Sequence, residues 1–275
     1  MGNILLDHTD ALIRAKLGNE LEEIFVERAV FGLFFSGVKL NNGHGGLCFT
    51  PVKELPEAVC CPSSAKAMPL SGKLAGRSAL EYLDDLRHDN ILRKTLAIAT
   101  LNALSSTCWD KEKPRGYTME KGADAFDDFK IPEGGKTVVV GALVPAIRKL
   151  IKAEADFTVI EMDRRTLKGK ELDHYAPFGD ASKYVPSAKF LIITGVTILN
   201  DTLPDLLEMA RPDARVIVAG PTASMLPDIF FQYGVTVMGG VIATKPDELL
   251  DVIGEAGSGY HFFGKSAERL LIKKV

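Results

Sequence analysis

Residues 138–147 read VVVGALVPAI. Three β-branched residues run into Gly141, and a helix-compatible segment with a proline near its start follows. A short apolar run ending in glycine, then a helix, is the first strand, turn and helix of a nucleotide-binding α/β sheet. Reading onward from Lys136, the rhythm repeats. KTVVVG, DFTVIEMD, FLIITG, ARVIVAGP and GVTVMGGV are apolar strands. Helices are expected over about 144–153, at TLPDLLEMA, near 225–232 and at PDELLDVIGEA. Apolar strands alternating with helices predict a parallel sheet covered on both faces, a Rossmann-like layout.

Reading backward from Lys136, the pattern differs. Residues 9–24 carry apolar positions at helical spacing, with Thr9 or Asp10 as the cap. Two extended runs around the turn NNGHGG predict a strand pair across 34–50. A helix follows around Ser78–Leu86 in sequence, and a second begins at Asp89 and runs to about Leu104. The second has almost no polar face, so it should lie centrally. This half is a small α+β unit with helices on one side of an antiparallel sheet. The stretch 105–135 is polar, bounded by Pro and Gly, and reads as a connection with a short helix around 123–129. The fold class is therefore α/β, with a small α+β domain at 1–108, a connecting segment at 109–135 and a Rossmann-like domain at 136–275.

The 275 residues suit two modest domains, and 46% hydrophobic with 25% charged residues is an ordinary globular balance. A formal net charge of -3 argues against a nucleic-acid partner or a polybasic membrane surface. No apolar run approaches the roughly 18 residues of a membrane span. The start, MGNILLDHTD, has no basic segment leading into an apolar block, so a cytoplasmic location is expected. The four cysteines, Cys48, Cys60, Cys61 and Cys108, form no disulfide framework. Vicinal Cys60 and Cys61 raise soft-metal capture as an alternative to a plain thiol pair, but no C-x-x-C accompanies them and no metal site is assigned.

The first turn departs from a dinucleotide cradle. Gly141 can make the tight turn and Ala146 can let helix pack on strand. Leu143 stands where a glycine admits the pyrophosphate, and Pro145 removes a donor from the helix start. Glu161 and Asp163 lie about 20 residues past Gly141, where a ribose-binding acid is expected, although a solvated strand end reads the same way. Two later strand ends are rich in small and polar residues: Thr194, Gly195, Thr197, Asn200 and Thr202, then Gly220, Pro221, Thr222 and Ser224. Glycines admit close approach, and hydroxyls and amides orient a ligand. Capping of the following helices by Asn200, Asp201, Thr222 or Ser224 is the alternative. There is no G-x-S-x-G elbow, and His8, His44, His88, His174 and His261 form no metal pattern. His44, on its glycine-flanked turn, is the candidate general base, with Asp163 as the second candidate catalytic group.

The segments LAIATLNALSS, VVVGALVP, VIEMD, IITGVTILNDTLPDLLE and VIVAGPTASMLPDIFFQYGVTVMGG together resemble the putative heavy-metal chelation family, over almost the whole chain. The resemblance implies an enolase N-terminal-like domain joined to a Rossmann-like one, with a cleft between them. It implies condensation or hydrolysis of flavin-, pterin- or siderophore-like molecules in metal chelation. It carries ligand-binding roles onto Asn102, Thr194, Gly195, Asn200, Thr202, Gly220, Pro221 and Thr222, with Glu161 added from the residues themselves. Members often hold a histidine after the first-strand glycine. Ala142 stands there in this chain, which removes that role. A non-enzymatic carrier of a metal chelate and a methyltransferase-like enzyme are the alternatives. The expected partner is a small molecule, a metal chelator or a heterocycle. No cofactor is assigned, and a homodimer is left open.

Overall fold

The computed structural model describes residues 3–55, 67–68, 70–126 and 135–275. The chain opens with α1 (Ile4–Leu17), which starts before the expected cap because Asn3 accepts from the Leu5 and Leu6 amides. Thr9 instead donates to Leu5 O (2.7 Å), and Asp10 pairs with Arg14 (2.7 Å). Gly18, at φ +53°, ends α1, so residues 18–23 continue as a 3-10 segment rather than as α-helix. Three strands follow as an antiparallel meander: β1 (Val26–Phe31), β2 (Phe35–Leu40) and β3 (Gly45–Phe49). After α2 (Ala79–Asp84) comes α3 (Ile91–Lys111), capped by Asn90 through the Arg93 amide at 3.0 Å rather than by Asp89.

The polar stretch after Leu104 does not break α3. Ser105, Ser106 and Thr107 donate their hydroxyls back to the carbonyls of Leu101, Asn102 and Ala103, which satisfies them within the helix. The chain then forms β4 (Tyr117–Lys121), an edge strand of the large sheet rather than plain connection. Residues 123–126 hold no helix, and the rest of the helix expected there lies outside the described residues.

The large sheet takes β5 (Thr137–Val140), β6 (Phe157–Glu161), β7 (Tyr175–Pro177), β8 (Phe190–Thr194), β9 (Arg215–Ala219), β10 (Val237–Ala243) and β11 (Ala267–Lys274). Between them run α4 (Val144–Lys152), α5 (Ala181–Tyr184), α6 (Val196–Leu199), α7 (Leu203–Met209), α8 (Asp228–Gln232), α9 (Pro246–Gly254) and α10 (Gly259–Phe262). Strand order is β4-β11-β10-β9-β8-β5-β6-β7. β5 to β10 are parallel, while β11 and β4 are antiparallel additions at one edge. Read from β7 and counted in chain order, the six parallel strands run 3-2-1-4-5-6, the dinucleotide-fold order. Its switch point lies between β5 and β8.

Strand alternation divides the core. Val139, Ile192 and Ile217 face Ala146, Ile147 and Leu150 of α4. Val138, Val140, Leu191, Ile193, Val216 and Val218 face the other way and join one cluster with Leu96, Leu101 and Leu104 of α3. The small sheet is covered on both faces. A Cβ on Gly46 of β3 would collide with Ala99 O and Ala103 N (2.6 Å) of α3. A Cβ on Gly37 of β2 would meet Leu250 (2.9 Å) and Ile253 (3.0 Å) of α9. The second half of the chain thus supplies the outer cover of the first half's sheet.

Candidate functional site

The turn after β5 is built without a phosphate cradle. Gly141 takes φ +91°, and its N–H donates to Ile160 O (2.9 Å). The Leu143 N–H donates to Gly141 O (2.8 Å) and the Val144 N–H to Ala142 O (2.9 Å). Pro145 has no N–H. Three of the positions that would face a pyrophosphate at this helix start, Leu143, Val144 and Pro145, therefore have no amide to offer. Thr194, at the end of β8, closes the switch point from the other side. A Cβ on Gly141 would lie 2.6 Å from Thr194 Cγ2, so only glycine fits opposite that threonine.

The two later strand ends pack on each other through glycine. A Cβ on Gly195 would lie 3.2 Å from Ala223, and one on Gly220 would lie 3.6 Å from the Gly195 amide. The Gly195 N–H donates to Ala219 O (2.8 Å) and the Gly220 N–H to Gly239 O (2.8 Å). Thr197 Oγ1 donates to Thr194 O (2.7 Å). Asn200 Oδ1 accepts from the Thr202 amide (3.3 Å) and hydroxyl (2.7 Å), a side-chain turn that leads the chain into α7. Asp201 pairs with buried Lys94 of α3 and accepts from Asn3 Nδ2 (2.9 Å). This loop is thereby fastened to the first half of the chain.

The GPTAS segment is fastened more deeply. Asn102, 1% exposed, donates Nδ2 to Leu47 O (2.7 Å), Thr222 O (3.2 Å) and Pro221 O (3.3 Å), while its Oδ1 has no partner among the described residues. Thr222 Oγ1 accepts from the Phe49 amide (3.0 Å). Ser224 Oγ donates to Pro221 O (2.7 Å) and accepts from the Val241 amide (2.8 Å). Neither Thr222 nor Ser224 caps α8. Both are buried in the seam between the two halves. Cys48 lies in that seam, and burial pushes its thiol up to about 12. Thr194, Asn200, Thr202, Gly220 and Pro221 remain half-exposed.

At the end of β6, Glu161 Oε1 accepts from the amides of Met162 (2.7 Å) and Asp163 (3.0 Å). Asp163 is held by Arg165 (2.8 Å) and by Lys53 (2.6 Å), which reaches over from the segment after β3. These hydrogen bonds, Arg165 first, hold its carboxyl well below the usual carboxylate range. His44 stands elsewhere, on the turn before β3, with Nε2 at 3.4 Å from Asp110 Oδ2. Its turn packs beside the end of β10, where a Cβ on neighbouring Gly45 would meet Ala243 (3.0 Å). β10 and β6 are four strand spacings apart, about 19 Å, so one small reacting group could not meet both His44 and Asp163. The structure brings Gly141, Thr194, Gly195, Gly220, Pro221, Thr222 and Asn102 together, and leaves His44 apart. Sequence reasoning missed Lys53 and Lys94, and weighed Asp201 only as a helix cap. Only Asp201, beside Asn200 at a loop, carried any local signal.

A sheet of dinucleotide-fold order, without the phosphate turn and joined along its strand ends to a small α+β unit, defines a two-part α/β protein with a remodelled Rossmann-like half. The chain belongs to the family described as putative heavy-metal chelation: the DUF364 family matches residues 124–272, and DUF4213, with the same description, matches residues 14–105. An uncharacterized protein of Methanocaldococcus jannaschii is 30% identical over 189 residues, 68% of each chain. A DUF364 protein of unknown function from Pyrococcus horikoshii has the same fold, with a TM-score of 0.77 at 19% identity over 98% of this chain and 100% of that one. Another from Desulfitobacterium hafniense gives 0.69 at 18% identity, over 98% and 99%. No helix among the described residues is long and apolar enough to cross a membrane. Among the described residues no group of three or more His, Cys, Asp or Glu could hold a metal ion. Cys60 and Cys61 lie outside the described residues.

Proposed function

We propose that the protein binds a chelator-like or heterocyclic small molecule, without a pyrophosphate, at the carboxyl ends of β5, β8 and β9. The observation that carries this reading is the turn after β5. It stands at the switch point, where sheets of this order take their ligands, yet its Leu143 and Val144 amides are engaged and Pro145 has none. What remains at the rim is neutral and oxygen-rich: the Thr194 and Thr202 hydroxyls, the Asn200 amide and the backbone of Gly220 and Pro221. Glu161 and Asp163 border it on the β6 side. Asn102 and Thr222 act beneath it, holding the GPTAS segment in place. The family description supports a ligand from metal chelation, and a siderophore-, pterin- or flavin-like molecule is the class we assign to it.

Calorimetry with riboflavin, a pterin, a catecholate chelator with and without iron, S-adenosylmethionine and NADH tests this reading. One of the first three classes should bind, and NADH should not. Thr194→Val keeps shape and removes a hydroxyl, and should weaken that binding by about tenfold, the worth of one good hydrogen bond. Tight NADH binding, or binding indifferent to both Thr194→Val and Asn200→Ala, would overturn the placement.

A further inference from the structure

The glycine-flanked histidine belongs to a different cleft. It has a volume of about 740 Å³ and lies at the β4–β11–β10 edge of the large sheet, away from β6. Its floor is the last turns of α3, where Ser106, Trp109 and Asp110 follow at three- and four-residue spacing, with Lys113 contributed by the segment just after the helix. Its far wall is β4 with the end of β10, where Met119 and Ile242 add apolar surface and Lys121 a second positive charge.

The cleft is held in shape from three directions. Gly46 lets the hairpin press onto the backbone of α3. Asn42 Nδ2, in the turn itself, donates to Thr107 Oγ1 of α3 (3.1 Å). Together these fix His44 at the rim, half-buried and facing Asp110. Burial lowers its imidazole pKa from the usual histidine value, against the opposing pull of the Asp110 charge, which favours the neutral ring as a hydrogen-bonding group. On the floor, the Trp109 indole N–H donates to Tyr117 OH of β4 (2.9 Å), which pins the ring. Among the described residues neither Lys113 nor Lys121 has an ion-pair partner. Two unpaired ammonium groups and a fixed indole therefore face one cavity, against the single carboxylate of Asp110. A cavity of this size holds a ligand of ordinary metabolite dimensions.

We propose that this cleft is a second ligand site, taking a planar aromatic carboxylate with its ring against Trp109 and its carboxylate between Lys113 and Lys121. The indole supplies the apolar face and the lysines the charge, and His44 hydrogen-bonds a substituent on the ring. The site is independent of the one at the switch point and shares no residue with it.

Trp109 is the chain's single tryptophan, so its indole N–H gives one cross-peak in a nitrogen-15 correlation spectrum. Titration of the intact protein with 2-naphthoate should move that peak saturably. The uncharged 2-naphthamide and the double variant Lys113→Gln/Lys121→Gln should each bind about tenfold more weakly, as expected for losing two exposed charge contacts. Both lysines are exposed, so the variant should fold, and circular dichroism checks that it does. Thr194→Val should leave the titration unchanged, which separates this site from the switch-point reading. No saturable shift, or equal binding of the acid, the amide and the double variant, would overturn the proposal.

Discussion

Asn102 sits among Leu96, Ile98, Leu101 and Leu104 on a buried helix, and its amide is the junction of three segments. Its orientation is determined by its neighbours. All three partners are carbonyl oxygens, so only the NH2 end can face them. Asn102→Ala should therefore destabilise the fold by about 1–3 kcal/mol, the usual loss when buried partners are orphaned. Asn102→Asp should be worse at neutral pH, because a buried carboxylate would face three acceptors. Its folded-state pKa would be raised, so it should regain stability as pH falls and the carboxyl becomes a donor. Urea midpoints at two pH values check both. An Asp variant as stable as the parent at pH 7 would show that the amide does not hold this seam. The need for partners was legible from a lone amide in an apolar helix. Which partners was not, because Pro221 and Thr222 are more than a hundred residues away in the chain.

At the level of elements, the β-branched runs from Lys136 onward fixed where the parallel strands lie, and their identity decides the sheet. Three strands escaped that pattern for separate reasons. β7 is only three residues long and ends on Pro177. β4 is an edge strand with a mostly solvent-facing sequence, YTMEK, which reads as loop. β11 has charges at both ends of its apolar centre. The end of α3 was missed because serine and threonine read as helix breakers unless their back-bonding is known. The hairpin itself was legible, but the reason for its last glycine was contact rather than conformation. Gly46→Ala would drive a methyl into the backbone of α3, which cannot yield as a side chain can. Overpacking of this kind costs about 1–3 kcal/mol or more. Thermal denaturation should show a drop of several degrees for Gly46→Ala and a smaller one for Gly43→Ala, where nothing lies within 4 Å and only the φ of +88° is strained. Equal losses at both positions would mean the hairpin does not press on α3.

For the whole molecule, the division into two halves by sequence rhythm is not a division of the core. One cluster runs from Leu5 and Leu6 of α1 through α3 to Val138, Leu191 and Val218 of the large sheet. A second joins Leu47 of β3 to Leu249, Leu250 and Ile253 of α9. Around the seam, Arg28 and Lys39 pair with Asp247, and Arg28 also with Asp251. These pairs are largely exposed and add little, so the apolar contacts carry the coupling. Unfolding the small unit alone would strip α9 of its partner sheet and open the α3 face of the large one. The two halves should therefore unfold together, although chains of this length often unfold in steps. Trp109 on α3 reports the first half, and amide exchange in β5 and β8 reports the second. In urea the tryptophan transition and the loss of protection in those strands should share one midpoint. Protection that persists in β5 and β8 after the Trp109 signal is lost would show that the Rossmann-like half stands alone, and that the shared core is a contact between two finished domains.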